Sequence, residues 1–242
     1  MSKGFVSEIF SGIQGEGLLV GERQVFIRLA GCNLRCAYCD TPLSQVPTDS
    51  FRIEQTPGKR DFTVQANPLS AEEVASHASR LRIGSTVSLT GGEPLVQADF
   101  AAKISELLKQ SGFRIILETN GSLPDALPEI LPHIDIVSMD IKLPSATCGP
   151  DLLQAHEQFL LKAITRDVSV KIVLTADTST DELLAAVGMI KSVNAKIPLV
   201  LQPVTGDHPP SPSQVLDWQA QCLMHLSTVL VIPQCHKMMG QL

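Results

Sequence analysis

Three of the six cysteines are clustered on one short stretch, and their spacing can support metal chemistry. Cys32, Cys36 and Cys39 follow a C-x3-C-x2-C pattern. Three thiolates on one loop can each bind one iron ion of a cubane cluster, which leaves the fourth iron open to another ligand. A structural zinc site usually takes four ligands, as does a ferredoxin cluster, and the next Cys or His along the chain is His77. The spacing therefore favours a [4Fe–4S] cluster with one open iron, with zinc as the alternative.

Three other polar segments each follow an apolar run, where they can meet a ligand. In Thr90–Pro94 (TGGEP) the glycines allow close backbone approach, and Glu93 and the carbonyls can accept hydrogen bonds from an ammonium group. In Glu118–Gly121 a carboxylate can bind ribose hydroxyls. Ser138–Lys142 supplies polar groups for the rest of a cofactor. Each segment also has a purely structural interpretation. Thr90–Pro94 could be a strand-to-helix turn, Glu118–Gly121 an Asn-Gly turn with a solvated Glu, and Ser138–Lys142 a charged strand end.

The N-terminal part of the chain offers further polar groups for a small ligand. Ile13–Gly17 places Gln14 and Glu16 between glycines, and its alternative interpretation is a surface turn. Arg28 interrupts an apolar run, where it needs either a structural ion-pair partner or the carboxylate of a ligand. The hydroxyl of Thr41 can bind a hard cation such as Mg²⁺, and its alternative role is to cap a turn.

The elements that position these residues alternate along the chain. Apolar β-branched runs predict strands at Gln24–Ala30, Thr86–Thr90, Phe113–Glu118, Ile134–Ile141, Val168–Thr175, Ile197–Gln202 and Thr228–Pro233. Segments with a helical period predict helices at Ser70–Arg82, Gln97–Ser111, Asp151–Thr165, Ser179–Val193 and Ser211–Leu226. This alternation predicts an α/β fold with parallel strands, too short for an eightfold barrel and so an open or partial one. Ligands of such sheets gather at the carboxyl ends of the strands.

Two details complete the predicted fold. Ser70 with Glu73, and Ser179 with Glu182, resemble helix capping boxes. The polar segment 44–68 has no clear period, and we interpret it as an insertion, with short strands of its own, in a single domain that spans residues 1–242.

Composition narrows the functional class. The chain has 242 residues, 44% of them hydrophobic, and a formal net charge of −6. A negative net charge argues against broad nucleic-acid binding, and no apolar run is long enough to span a membrane. Without a secretory signal we expect a cytoplasmic protein. The scattered Cys148, Cys222 and Cys235 are expected to have no metal role.

The cysteine loop, with Tyr38 before its last cysteine, resembles the signature of the radical S-adenosylmethionine (SAM) superfamily. That resemblance implies that the open iron of the cluster binds SAM and that reductive cleavage of SAM yields a radical that abstracts hydrogen from a substrate. Together with Ile13–Gly17, Arg28, Thr90–Pro94 and the ending Ile232–Gly240, the loop closely resembles that of the 7-carboxy-7-deazaguanine synthase family.

The family resemblance implies conversion of 6-carboxy-5,6,7,8-tetrahydropterin into 7-carboxy-7-deazaguanine with loss of ammonia. It also implies a partial (β/α)6-type barrel, a homodimer, Mg²⁺ and an electron donor such as flavodoxin or ferredoxin.

By the same resemblance each motif residue receives a role. The residues expected to contact the pterin are Ile13, Gln14, Gly15, Glu16, Arg28 and Thr90, with Gln202 and the terminal carboxylate of Leu242 as further candidates. Thr41 is expected to ligate Mg²⁺. The residues expected to line the SAM site are Tyr38, Gly92, Glu93, Glu118, Ser138, Met139 and Asp140.

Two alternatives remain open at this point. One is a radical SAM enzyme that activates a glycyl-radical protein, and the other is a non-catalytic iron–sulfur or zinc protein. Arg28 and the early Gln-Gly-Glu segment favour a small carboxylated substrate over a protein substrate. A non-catalytic protein would leave Thr90–Pro94 and Ile13–Gly17 without a role.

Overall fold

A computed structural model of the chain describes residues 3–240. Its strands are β1 (Lys3–Gly4), β2 (Val6–Ile13), β3 (Arg23–Leu29), β4 (Ser50–Glu54), β5 (Phe62–Ala66), β6 (Leu69–Ser70), β7 (Thr86–Gly91), β8 (Arg114–Thr119), β9 (Ile136–Ile141), β10 (Asp167–Leu174), β11 (Leu199–Pro203) and β12 (Val229–Val231). Its α-helices are α1 (Ala71–Arg80), α2 (Ala98–Gln110), α3 (Leu127–Ile130), α4 (Pro144–Thr147), α5 (Leu153–Ala163), α6 (Thr180–Asn194), α7 (Pro212–Leu223) and α8 (Cys235–Met238). Within these residues, no helix combines the length and the apolar character needed to cross a membrane.

Ten of the strands form one sheet, in the order β12-β11-β10-β9-β8-β7-β3-β2-β4-β5. The strands from β3 through β12 in this order pair in parallel, whereas β2 runs antiparallel to β3. Crossover connections that carry helices join successive parallel strands, as parallel pairing requires. All seven predicted strands and all five predicted helices are present, with ends shifted by a few residues. The predicted α/β fold with a parallel sheet is therefore confirmed.

The core lies between the sheet and the helices. Val170, Ile172 and Leu174 of β10 are fully buried, as are Leu183 and Val187 of α6, and all five belong to one core cluster. The capping box predicted for α1 is formed, because Ser70 and Glu73 exchange side-chain bonds with each other's backbone amides.

The second predicted capping box is only half formed. Ser179 caps the first turn of α6, but the Glu182 carboxylate accepts a hydrogen bond from the Ser145 amide at 2.9 Å instead of returning to Ser179. A tertiary contact has replaced the local one.

Segment 44–68 extends the sheet. Its strand β4 pairs with β2 in parallel, and β5 pairs with β4 antiparallel at the sheet edge. Short strands were predicted in this segment, and they are present. Strand β2 was not predicted, because Ser7, Ser11 and Gly12 interrupt the apolar pattern of Val6–Ile13.

The sheet curves strongly enough to bring distant strands together. Strands β2 and β10 are five steps apart in the sheet order, which would separate them by about 24 Å in a flat sheet. Yet Lys171 of β10 forms an ion pair with Glu16, just after β2. The Cys235 amide, beyond β12, also donates a 2.9 Å hydrogen bond to the Gly15 carbonyl. The sheet is thus a partial barrel with its polar strand ends around a central space.

Candidate active site

A cavity of about 940 Å³ opens at the carboxyl ends of the parallel strands. This volume is near the upper end of the range for small-molecule sites, so it can hold two small ligands. The sequence-predicted residues that line it are Gln14, Glu16, Arg28, Cys32, Cys36, Tyr38, Cys39, Thr41, Thr90, Gly92, Glu118, Ser138, Asp140 and Gln202. The fold therefore brings motifs that are far apart in the sequence together around one cavity.

The cysteine loop forms one wall of the cavity. Its backbone is fixed by hydrogen bonds from Cys32 N to Gln45 O at 3.1 Å and from Ala37 N to Thr147 O at 3.0 Å. The three cysteines are half-buried, and burial raises the pKa of the Cys32 and Cys36 thiols. Metal binding therefore has to displace the thiol protons.

The spacing of the cysteine sulfur atoms bears on which metal centre fits. In a tetrahedral zinc site with Zn–S bonds of about 2.3 Å, the sulfur atoms lie about 3.8 Å apart. Within residues 3–240, the one group of potential metal ligands that all lie within 4.8 Å of one another does not include these cysteines. The three sulfur atoms are therefore not all as close together as the ligands of one zinc ion would be, whereas thiolates that bind different iron ions of a cluster lie farther apart.

The Gly91–Glu93 turn lies directly against the cysteine loop. Gly92 N donates to Leu29 O at 3.1 Å, and Glu93 N donates to Gly31 O at 2.8 Å. A Cβ atom on Gly92 would lie 2.7 Å from Ser44 O and 2.8 Å from the Cys32 Cβ, so a larger residue does not fit. The turn can therefore present its backbone carbonyls close to a cluster bound by the loop.

Glu93 does not line the cavity. Its side chain is fully buried, and it accepts hydrogen bonds from Asn120 N at 2.7 Å, Leu95 N at 3.0 Å and Thr119 Oγ1 at 2.8 Å. These bonds join the ends of β7 and β8. The Glu93 side chain thus lies behind the Gly91–Glu93 turn and links it to the end of β8, whereas it was expected from the sequence to line the SAM site.

The side chains of β9 alternate between the two faces of the sheet. Ser138 and Asp140 line the cavity, whereas the Met139 side chain is fully buried on the opposite face. A Cβ atom on Gly121 would lie 2.9 Å from the Met139 Cγ, so the methionine packs under the β8 turn. Only the backbone of Met139 remains available to a ligand.

Asp140 lies in a row of alternating charges across the cavity floor, which we call the charged row: Glu16, Lys171, Asp140 and Lys142. Lys142 Nζ lies 2.9 Å and Lys171 Nζ lies 3.3 Å from Asp140 Oδ2, and Lys171 also pairs with Glu16. Burial by itself would raise the pKa of Glu16, but the Lys171 ammonium outweighs it and lowers that pKa to about 2. Both lysines have a raised pKa, because their carboxylate partners outweigh the cost of burial.

Lys171 was not identified from the sequence. It is a cation within the apolar run Val168–Thr175, the same signal that drew attention to Arg28. Lys142 was named only as the last residue of the polar segment Ser138–Lys142. Its ammonium group also lies 5.1 Å from the centroid of the Tyr38 ring. In the sequence, Tyr38 stands between the second and third cysteines of the loop.

Gln14 and Glu16 of the Ile13–Gly17 segment line the cavity, and Glu16 lies close to Asp40, which follows the cysteine loop. Gln14 Nε2 donates to Glu118 Oε1 at 2.7 Å, which joins residues expected to bind different ligands. A Cβ atom on Gly15 would lie 2.5 Å from the His236 backbone nitrogen. Ile13 ends strand β2 and is not part of the cavity lining.

Arg28 and Thr41 both line the cavity, and their side chains form few polar contacts with neighbouring residues. Arg28 Nε lies 3.9 Å from Glu8 Oε2, a long contact, and no hydrogen bond joins its guanidinium to another residue between 3 and 240. Glu8 lies closer to Arg52, at 3.4 Å. The Thr41 side chain does not cap the turn Pro42–Ser44, which was its alternative role. Thr90 lines the cavity beside Arg28, on the neighbouring strand.

The C-terminal segment 234–240 closes one side of the cavity. Gln234 Nε2 donates to Glu16 Oε1 and to Asp40 Oδ2, both at 2.8 Å, and Lys237 Nζ lies 3.4 Å from Asp40 Oδ2. Ligand atoms of Glu16, Asp40 and His236 come within 4.8 Å of one another. No role for Gln234 or His236 could be assigned from the sequence, because their partners lie near the other end of the chain. Leu242 lies outside the described residues.

An aromatic pair forms an apolar part of the wall. Phe10 of β2 and Phe26 of β3 stack with ring centroids 5.0 Å apart, and both line the cavity. Neither phenylalanine could be identified as a cavity residue from the sequence, because an aromatic residue in a strand is normally a core residue.

The residues present fit SAM and a second polar ligand. Among residues 3–240, the buried side-chain atoms without a hydrogen-bond partner are Gln24 Nε2, Tyr38 Oη, Asp140 Oδ1 and Gln202 Oε1. All but Gln24 belong to cavity-lining residues. Buried polar atoms are normally satisfied, so three such atoms facing one cavity indicate a polar ligand that supplies the missing partners.

The chain resembles known proteins over most of its length. A family model described as the radical SAM superfamily matches residues 26–176. The chain is 44% identical over 245 residues to the 7-carboxy-7-deazaguanine synthase of Geobacter sulfurreducens, covering 98% of this chain and 97% of that one. It is 40% identical over 240 residues to the enzyme of that name from Methanopyrus kandleri, covering 96% and 92%.

The fold is shared with a solved structure. The crystal structure of QueE from Escherichia coli superposes with a TM-score of 0.64 at 20% identity, over 97% of this chain and 95% of that one. Because the superfamily model covers more than half of the chain and its relatives match almost from end to end, the chain belongs to the 7-carboxy-7-deazaguanine synthase family of radical SAM enzymes.

Proposed function

We propose that the protein converts 6-carboxy-5,6,7,8-tetrahydropterin into 7-carboxy-7-deazaguanine with loss of ammonia, as a carbon–nitrogen lyase. The observation that carries this proposal is one cavity lined by two differently equipped groups of residues, which we call its first and second sides. The cysteine loop and the Gly91–Glu93 turn make up the first side. The second side has a guanidinium at Arg28, a carboxylate at Glu16 and an amide at Gln14.

The second side matches the chemistry of a carboxylated pterin. The planar fork of Arg28 can bind the substrate carboxylate through two charge-assisted hydrogen bonds. Glu16 stays ionised beside Lys171, so it can accept hydrogen bonds from the N–H groups of the pterin ring. The stacked pair Phe10 and Phe26 offers an apolar surface near the ring. We propose Ile13, Gly15, Thr90 and Gln202 as further pterin-site residues, of which Thr90 and Gln202 line the cavity.

The first side matches SAM. We propose that Cys32, Cys36 and Cys39 hold a [4Fe–4S] cluster and that the carbonyls of the Gly92 turn receive the ammonium group of SAM. Tyr38, Glu118, Ser138 and Asp140 offer acceptors and donors for the rest of the cofactor, and Met139 offers its backbone. When bound, the cluster and SAM supply the radical chemistry, which the chain's own groups cannot perform. The cavity walls orient the substrate and exclude water.

A magnesium site fits beside the cysteine loop. Mg²⁺ prefers oxygen ligands, and the hydroxyl of Thr41 is not used by the adjacent turn. The carboxylates of Asp40 and Glu16 lie nearby, together with the imidazole of His236. We propose that Thr41 binds Mg²⁺ and that the carboxylates stabilise its hydration shell.

The remaining proposals rest on the family. They are a homodimer, a one-electron donor such as flavodoxin or ferredoxin, and a single domain. The continuous ten-stranded sheet, which includes strands from segment 44–68, supports a single domain. The exposed loop residues Asn33, Arg35 and Ala37 leave one face of the cysteine loop accessible to a donor.

An anaerobic assay of the reconstituted protein tests the proposal. With 6-carboxytetrahydropterin, SAM, Mg²⁺ and a reductant, we expect 7-carboxy-7-deazaguanine and ammonia in equal amounts. The matched control omits only the pterin and should yield no deazapurine. Cleavage of SAM without any deazapurine, or glycyl-radical formation on an added protein, would contradict the proposal.

A further inference from the structure

Lys171 occupies an unusual position for a lysine. It lies in β10 between Val170 and Ile172, both fully buried, and its side chain is 16% exposed. A buried ammonium is costly unless it is paired. The register of the parallel strands sets Lys171 directly beside Asp140 of β9, so the sheet itself fixes one partner.

Lys171 contacts two carboxylates from distant parts of the chain. One is Asp140, whose Oδ2 lies 3.3 Å from Lys171 Nζ. The other is Glu16, which reaches Lys171 only because the sheet curves. In the charged row, Lys171 is therefore the one cation that bridges both acidic residues.

The two carboxylates face different ligands under the proposed function. Glu16 belongs to the proposed pterin residues, and its Oε1 accepts a hydrogen bond from Gln234 Nε2. Asp140 lies on the SAM side with Lys142 and Tyr38, and its Oδ1 is buried without a partner among the described residues. A ligand in each subsite would thus contact a different carboxylate of the same charged row.

We propose that Lys171 is a positioning residue that couples the two ligand subsites, so that binding of SAM and binding of the pterin strengthen each other. This inference rests on the proposed function. Each ligand fixes the carboxylate at its own end of the charged row, and through that carboxylate it fixes Lys171. The second ligand then binds to a site in which the charged row is already ordered, so its binding costs less conformational entropy. The first ligand also excludes water, which strengthens the remaining ion pairs in the row.

The test measures binding, and no turnover is needed. Without a reductant, the reconstituted enzyme is titrated with SAM in the absence and presence of saturating 6-carboxytetrahydropterin, and then with the ligands exchanged. Because coupling is reciprocal, both experiments must give the same factor. We expect each ligand to raise the affinity of the wild-type protein for the other by about fivefold or more.

Variants separate coupling from a general loss of structure. Lys171→Met keeps the length of the side chain but removes its charge, and the two ligands should then bind independently. Lys171→Arg keeps the charge and should retain coupling. Lys109→Met is the matched control, because Lys109 pairs with Asp135 at 2.5 Å far from the charged row, and it should behave as wild type.

The outcomes are distinguishable. A Lys171→Met protein that retains the wild-type coupling factor, even with weaker affinities, would overturn the inference, as would a wild-type protein that binds both ligands without coupling. If Lys171→Met loses iron content or circular dichroism signal, Lys171→Gln takes its place under the same criteria. A wild-type protein that binds SAM but no pterin would instead contradict the proposed function, and the inference would fall with it.

Discussion

Gly15 and His236 lie in direct contact, although they come from opposite ends of the chain. A Cβ atom on Gly15 would approach the His236 backbone nitrogen to 2.5 Å, and the Gly15 carbonyl accepts a 2.9 Å hydrogen bond from the Cys235 amide. This close approach brings the C-terminal segment over the cavity and sets His236 beside Glu16 and Asp40. One side of the proposed pterin subsite therefore depends on a residue without a side chain.

Gly15→Ala should displace the C-terminal segment. The collision involves the backbone of His236, so no change of rotamer can relieve it, and overpacking of this kind typically costs about 1–3 kcal/mol. We expect weaker pterin binding and faster proteolysis of the C-terminal segment. Gly188→Ala is the matched control, because a Cβ atom there meets nothing within 4 Å and Ala is favoured in helix α6. Unchanged pterin affinity in Gly15→Ala would count against the proposed role of the contact.

Each cluster cysteine should be indispensable. Replacing Cys32, Cys36 or Cys39 with Ala leaves one iron of the proposed cluster without its protein ligand, so 5′-deoxyadenosine formation from SAM should cease. The control replaces Cys148, Cys222 and Cys235 together, and its iron and sulfide content should match wild type. Loss of iron from this triple variant, with iron retained in Cys36→Ala, would show that the cluster lies elsewhere.

Thr41→Val should weaken the dependence of turnover on Mg²⁺. The substitution keeps nearly the same volume but removes the proposed ligand oxygen. The initial rate is measured against Mg²⁺ concentration for wild type and variant, and the variant should need more Mg²⁺ for half-maximal stimulation. Thr48→Val is the control, because Thr48 is exposed and its hydroxyl donates only to the nearby Ser50 carbonyl. An identical Mg²⁺ response in Thr41→Val would exclude Thr41 as a ligand.

Arg28→Ala should selectively weaken pterin binding. Truncating one partner of a buried charge pair typically costs about 2–5 kcal/mol, which corresponds to a loss of affinity of roughly 30-fold or more. Arg28→Lys should recover only part of that affinity, because an ammonium group lacks the planar fork. Anaerobic titrations with each ligand check both expectations, and SAM affinity should change little. Equal losses for both ligands would instead indicate that Arg28 is structural, paired with Glu8.

His156 should make folding sensitive to mild acid. The residue is buried, its Nε2 lies 3.1 Å from the Asn120 carbonyl oxygen, and burial lowers its pKa from 6.5 to about 4, although Asp140 and Asp151 oppose that shift. Between these two values the unfolded chain binds a proton that the folded chain does not. The free energy of unfolding should therefore fall as the pH falls from about 6.5 to about 4, by up to about 1.4 kcal/mol per pH unit.

Urea denaturation of the cluster-free protein at pH 7 and pH 5 measures this effect. His156→Gln can still donate a hydrogen bond to the Asn120 carbonyl but does not titrate in this range. It should lose less stability between the two pH values than wild type does. Equal losses in the two proteins would mean that other groups cause the acid sensitivity.

The order of elements could be predicted from the sequence because it depends on local patterns. The apolar runs Val168–Thr175 and Phe113–Glu118 carry enough β-branched residues to predict buried parallel strands. Strand β2 could not be predicted in this way, because Ser and Gly residues dilute its pattern and its pairing with β3 and β4 stabilises it instead. The 44–68 segment likewise acquires its place only through pairing with β2.

The candidate site likewise has parts that could be predicted from the sequence and parts that could not. The cysteine loop is a local motif, so its spacing and the metal chemistry that it can support could be predicted from the residues alone. The role of Glu93 was not, because its burial depends on Thr119 and Asn120 of the neighbouring strand. Met139 illustrates the same limit, since a shift of one residue along a strand moves a side chain from the cavity to the core.

The sequence by itself determined which chemistry is available, because residue types and short spacings define the cysteine loop, the Gly-Gly turn and the strand-end carboxylates. Only the tertiary structure decided which groups meet. The ion pair of Lys171 with Glu16 and the contact of His236 with Gly15 join strand ends that a flat sheet would hold far apart. Their physical cause is the curvature of the sheet, which results from the packing of the whole chain and leaves no local pattern in the sequence.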